Sequence, residues 1–179
     1  MGHRVGPVTE RLILRAMTPG DAEAFFRLNS HPEVMRYTGE PPMPSVQEAR
    51  EAIANYPDWD DPGYGRWACV LKSEGEDAEL IGFCGLKRLR ETGEVDIGYR
   101  LLPEYWGRGL ATEAARATLA FGFGTLGLSE IVAMVLPGNE PSIRVLTKLG
   151  LVRAEDIEYC GERVQRWVIT ADQQEPLLS

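Results

Sequence analysis

The chain has 179 residues, 44% hydrophobic and 26% charged, with a net charge of −8 at pH 7 and a pI near 4.9. That is the size and make-up of one soluble globular domain, read here as a single unit over 1–179 with its core at about 9–170. The acidic balance argues against a general nucleic-acid binder, which needs a basic face, and suits a cationic amine partner.

Met1 to Pro7 reads as a loose leader. Leu12 to Met17 is a first strand, followed by a helix start in which Thr18 caps, Pro19 takes the first helical position and Asp21 stands three residues on. His31 to Tyr37 is a short helix, and His31, just before Pro32, is read as structural. Ser45 to Tyr56 is another helix, with Val46, Ala49 and Ile53 on one face. Tyr56 to Tyr64, with two prolines and three aspartates, is a loop. Its Trp59 and Tyr64, with Trp67, line an acceptor pocket or belong to the core. Arg66 to Lys72 and Leu80 to Arg88 are strands joined by a polar turn, and Glu94 to Leu102 is the next. Such short connections make the three antiparallel.

The stretch from Glu94 to Thr112, EVDIGYRLLPEYWGRGLAT, then passes from strand through Pro103 into Trp106-Gly107-Arg108-Gly109-Leu110-Ala111, and a helix follows over Thr112 to Leu126. Glycines 107 and 109 permit left-handed backbone and close approach of a ligand to the main chain. Free N–H groups of a helix's first turn favour an anion, so the spacing points to a phosphate cradle, a pyrophosphate above all; the alternative is a tight turn with no ligand. No Gly-Lys-Ser/Thr tripeptide is present, which excludes a P-loop. A dinucleotide fingerprint would need a third Gly or Ala at Thr112 and an acid ending the next strand, which closes instead in Pro137-Gly138-Asn139. Ile131 to Leu136 is a continuous apolar strand, parallel to its neighbour across the helix. Asn139 caps the next helix, with Pro141 in its first turn and Gly150 as its stop. Two strands, Val152 to Tyr159 and Arg163 to Thr170, close the fold, and residues 172–179 read as a frayed tail.

Three cysteines form no CxxC pair and the two histidines lie far apart, so neither a disulfide framework nor a metal site is expected; Cys84 reads as packing. No apolar run approaches the roughly 18 residues of a membrane span, and the N-terminus has no signal-peptide stretch, which makes cytoplasmic residence the expectation.

The segment Trp106 to Ala111, the run Asn139-Glu140-Pro141-Ser142-Ile143 leading to Lys148-Leu149-Gly150-Leu151, the opening Thr9-Glu10-Arg11-Leu12-Ile13-Leu14-Arg15 and His31-Pro32-Glu33-Val34-Met35-Arg36-Tyr37 together resemble the GNAT superfamily of acyl-CoA-dependent N-acetyltransferases. They are most similar to its ribosomal-protein N-terminal acetyltransferase branch. Trp106 stands where the superfamily pattern has Gln or Arg. The resemblance implies an α+β fold, a mixed, mostly antiparallel, curved sheet of six or seven strands with helices on both faces. It implies acetyl-CoA as co-substrate, with no metal. Main-chain groups of Leu101 and Leu102 would pair with the pantetheine arm, and the N–H near Leu102 would serve as oxyanion donor. Trp106, Gly107, Arg108, Gly109, Leu110, Ala111 and Thr112 would hold the pyrophosphate, Arg108 being either a phosphate partner or a solvated arginine. Asn139 would bond the arm as well as cap its helix.

Two residues are implied for the chemistry. Asp96, where relatives often carry Glu, is the candidate base or relay. It shares a strand face with Glu94 and Arg100, and the alternative is that it pairs with Arg100 or faces water. The usual acid, a tyrosine, is replaced by Leu146, which leaves Ser142 as candidate donor to the departing thiolate or as a plain first-turn serine. The implied function is direct acetyl transfer to a primary amine in a ternary complex. A protein N-terminal α-amine leads the acceptors; a polyamine, an amino acid or an antibiotic amine stays open. So do a non-catalytic acyl-CoA sensor of the same fold and a nucleotide-phosphate binder. Oligomeric state is open, a homodimer included.

Overall fold

The computed structural model describes residues 2–178, with side chains described through residue 174. Nine strands are present among them: β1 (Val5–Val8), β2 (Leu12–Arg15), β3 (Arg66–Leu71), β4 (Gly82–Arg88), β5 (Val95–Leu101), β6 (Glu130–Val135), β7 (Val152–Arg153), β8 (Ile157–Tyr159) and β9 (Glu162–Thr170). They form one sheet in the order β1-β2-β3-β4-β5-β6-β9-β7, with β8 also on β9. Every neighbouring pair is antiparallel except β5 and β6, which are parallel. That pair needs a crossover, and helix α4 (Leu110–Gly124) supplies it.

Helices α1 (Ala22–Ser30), α2 (Pro32–Met35) and α3 (Val46–Ala54) precede β3. Helix α1 packs on one face of the sheet, where Ala24, Leu28, Ala68, Val70, Leu80, Phe83 and Leu102 are buried together. Helices α4 and α5 (Glu140–Lys148) cover the other, over Trp67, Cys69, Cys84, Leu86, Ile97 and Leu101. Gly122 lets α4 lie close, since a Cβ there would stand 2.7 Å from Ile131 Cδ1. Cys84 packs here: its thiol lies 3.3 Å from the Thr118 hydroxyl, and burial pushes it up to about 11.

The mixed, mostly antiparallel architecture agrees with the sequence, but the strand count of six or seven is too low. Residues 5–8 are an edge strand rather than part of a leader. The His3 carbonyl accepts from Trp67 Nε1 at 2.9 Å, and Gly6 passes so close to the Trp67 ring that a Cβ would stand 2.8 Å from it. Period-two patterning is absent from so short a run, and the buried partner, Trp67, is some sixty positions away. The predicted strand Val152 to Tyr159 is two, β7 and β8, broken between Ala154 and Asp156. Residues 171–178 form a helix, α6, with the Ala171 N–H on the Ser129 carbonyl; Ser179 lies outside the described residues. Helix α4 begins at Leu110, two residues before the predicted start.

Candidate active site

Two features of the main chain meet at the C-terminal end of β5. The first is a fork. β5 and β6 share one rung, Asp96 opposite Val132. The Leu102 N–H donates to Ile81 O at 2.9 Å, across to β4. Strand alternation then turns the peptide groups of Ile97, Tyr99 and Leu101 toward β6. Beyond the shared rung those of Tyr99 and Leu101 face the gap.

The second feature is the loop. Gly107 and Gly109 adopt φ of +73° and +76°, and Gly109 is the N-cap of α4. The first N–H of the helix to find a main-chain partner is that of Glu113, on Gly109 O. Among the described residues no acceptor stands against the N–H groups from Gly107 to Thr112. The loop is held from behind. Arg11 donates to Arg108 O at 2.9 Å and to Glu113 Oε1 at 2.8 Å, while Thr9 donates to Glu113 Oε2 at 2.6 Å. Against a burial effect that acts upward, these donors hold the Glu113 carboxyl below its ordinary range. A carboxylate beside an anion-binding helix end would repel the anion, and its pairing with Arg11 offsets that.

Leu101 faces the gap, but its carbonyl already accepts from Trp106 Nε1 at 2.8 Å, and the indole is half-exposed. Leu102 is a correction. Alternation turns its N–H away from the gap to Ile81, so it is not a free oxyanion donor in this structure. The Arg108 guanidinium lies over the Tyr105 ring, 5.4 Å from the centroid. Asn139 caps α5, its Oδ1 accepting from the Ser142 N–H at 3.4 Å. The Ser142 hydroxyl lies 3.0 Å from the Tyr99 hydroxyl, which is also 3.3 Å from Ser142 O. Burial pushes the Tyr99 phenol well above its ordinary value, partly offset by that hydrogen bond, so it stays protonated.

Asp96 does not pair with Arg100. Its Oδ2 accepts from Arg66 Nη2 at 2.8 Å and its Oδ1 from the Met134 N–H at 3.1 Å. Burial raises its pKa to about 6, against the pull of Arg66, the Met134 N–H and Lys87. Arg100 instead bonds Asn29 Oδ1 at 2.8 Å and Glu40 at 2.9 Å. Glu94 pairs with Arg166. Trp59, Tyr64 and Trp67 are core. His31 caps α2 through Nδ1, as expected from its place before Pro32.

Sequence reasoning missed Tyr99, Arg66 and the Arg11–Glu113 pair. Tyr99 alternates with Ile97 and Leu101 on an apolar face, where a phenol needs a polar partner. Arg66 leaves a subtler signal. Gly98 on β5 is bare because the guanidinium lies across it: a Cβ there would stand 2.4 Å from Arg66 Cζ.

Comparison with known proteins gives the arrangement its family. Residues 11–152 match the model described as an acetyltransferase (GNAT) domain. A Bacillus subtilis (strain 168) protein named uncharacterized N-acetyltransferase YoaA is 39% identical over 143 residues, 79% of this chain and 80% of that one. Spermidine N(1)-acetyltransferase of Escherichia coli K12 is 29% identical over 144 residues, 80% of this chain and 74% of its own. Mycobacterium smegmatis RimJ, solved in complex with CoA-disulfide, superposes with a TM-score of 0.77 at 22% identity, over 94% of this chain and 87% of its own. With that domain matched over residues 11–152 and a relative 39% identical over most of its length, the chain belongs to the GNAT family of acetyl-CoA-dependent N-acetyltransferases.

Proposed function

We propose that the protein transfers acetyl directly from acetyl-CoA to a protein N-terminal α-amine, with no acyl-enzyme stage. The observation that carries the donor half is the run of unpartnered N–H groups from Gly107 to Thr112 beside the fork. These residues fit a diphosphate: glycines at positive φ leave the amides bare, and Arg11 neutralises Glu113 behind them. Leu101 and Tyr99 would offer main-chain groups to the pantetheine arm, with Trp106 at the mouth and Asn139 at the neighbouring helix end. Bound there, acetyl-CoA supplies the thioester carbonyl that the amine attacks.

The chain's own residues then have modest work. An α-amine with a pKa near 8 is about one-tenth neutral at pH 7, so it requires little base help. Both Asp96 oxygens are engaged by Arg66 and Met134, and the amine's proton passes to water. Ser142 gives a proton to the departing thiolate, with the buried Tyr99 hydroxyl behind it to orient and resupply it.

For the acceptor, charge on the α1 side of β5 supports a single cation. Two guanidinium groups, Arg66 and Arg100, with Lys87 across the strand from Asp96, leave no surplus of negative charge against the two carboxylates, Asp96 and Glu40. A polyamine favours a surplus of negative charge. The spermidine-acetylating relative keeps that second reading in play, together with the chain's net charge of −8. A panel of N-terminal peptides, spermidine, amino acids and aminoglycosides, read by thiol release, tests it. Peptides should give the highest kcat/KM. Preference for spermidine by tenfold or more would overturn the α-amine assignment, and no release with any amine would favour a sensor.

A further inference from the structure

In a parallel ladder with Asp96 opposite Val132, the next N–H to cross from β6 is that of Met134, and its regular acceptor is the carbonyl of Ile97. Here the Asp96 side chain takes that N–H instead, through Oδ1 at 3.1 Å. Oδ2 is anchored from the other side by Arg66, reaching over bare Gly98 from β3. The carboxylate therefore stands where the two strands stop pairing.

We propose that Asp96 is a positioning residue that holds the fork open. By intercepting the Met134 N–H it ends the β5–β6 ladder one rung early, and the peptide groups of Tyr99 and the N–H of Leu101 stay available to a ligand. Arg66 fixes the carboxylate, and Gly98 makes room for Arg66. This role differs from that of a base, because it needs an acceptor oxygen at that point and not a titrating one. It rests on the reading that the acyl-CoA arm occupies the gap, but the state of the fork is measurable without any ligand.

A plain Asp96→Asn would set its amide against the Arg66 guanidinium, donor to donor, so the test removes both charges. Arg66→Met/Asp96→Asn keeps an oxygen for Met134; Arg66→Met/Asp96→Ala does not. CoA affinity is measured by calorimetry, turnover by thiol release, and Tyr99 and Met134 amide exchange by NMR in the ligand-free protein. The Asn version should bind CoA within about threefold of wild type and keep kcat within about tenfold. The Ala version should bind CoA at least tenfold more weakly, and its Tyr99 amide should exchange more slowly as the ladder zips further. Equal affinity and equal exchange in the two versions would overturn the proposal. So would a hundredfold loss of kcat in the Asn version with CoA affinity unchanged, which is the signature of a base. If the Ala version does not fold, that kcat-against-affinity split in the Asn version decides alone. Failure of wild type to bind CoA would sink the functional reading, while the exchange data would still report on the fork.

Discussion

Ser142 and Tyr99 show how a weak acid is made useful. A serine alone is a poor donor, but its hydroxyl at 3.0 Å from a buried, protonated phenol has a fixed direction and a neighbour to draw on. Removing it with Ser142→Ala should lower kcat by about ten- to a hundredfold, at or below the low end of acid–base contributions because serine is a weak acid, with KM for acetyl-CoA nearly unchanged. Tyr99→Phe should fall between that and wild type. A rise in KM with kcat intact, in either variant, would mean that the pair only shapes the slot. Ser142 was legible because the resemblance led to its place in α5. Tyr99 was not, because its partner lies 43 positions away and no local period connects a strand residue to a helix it meets only after folding.

The loop from Trp106 to Thr112 is the element most fully written in the sequence. Two glycines, a proline before them and an alanine-rich helix after them specify a turn with exposed amides by purely local rules. What holds that turn was not readable: Arg11 and Glu113 are 102 positions apart, and each alone looks like a solvated charge. Gly109 sits at φ +76°, a conformation that costs a β-branched residue about 1–3 kcal/mol. Gly109→Val should therefore weaken CoA binding by about ten- to a hundredfold with the fold retained, as calorimetry and circular dichroism would show. Unchanged affinity would contradict the cradle. The fork lies at the other extreme. Alternation in β5 was legible, but the single rung to β6 and the Met134 N–H that Asp96 takes depend on where two distant strands diverge.

At the scale of the whole molecule, Asp96 sets a pH dependence of stability. Its carboxyl is protonated below about pH 6 in the folded protein, against about 4 in the unfolded chain. Between those values the folded state holds a proton that the unfolded chain has released, so this group's contribution falls as pH rises and is fully lost above about 6. Urea titrations of wild type and Asp96→Asn across pH 4–7 should show the difference between them shifting against wild type by on the order of 3 kcal/mol as pH increases. A flat difference would mean that Arg66 and Lys87 outweigh burial. The mixed sheet and helices on both faces were legible from ordered runs and breakers. The count was not, since β1 and β7 are too short to carry a period and owe their existence to partners on β2 and β9.

The position of β9 has a practical corollary. It is inserted between β6 and β7, so the strand that completes the sheet beside the fork comes from the last part of the chain, beyond residue 152. Trimming the protein to the family-matched residues 11–152 would bare the rim of β6, with its run Ile131, Val132 and Ala133, and would strip the His3 carbonyl from the Trp67 indole at the opposite margin. Such a minimised fragment would be sticky and short of a folded centre, although it retains nearly every residue that touches the proposed chemistry.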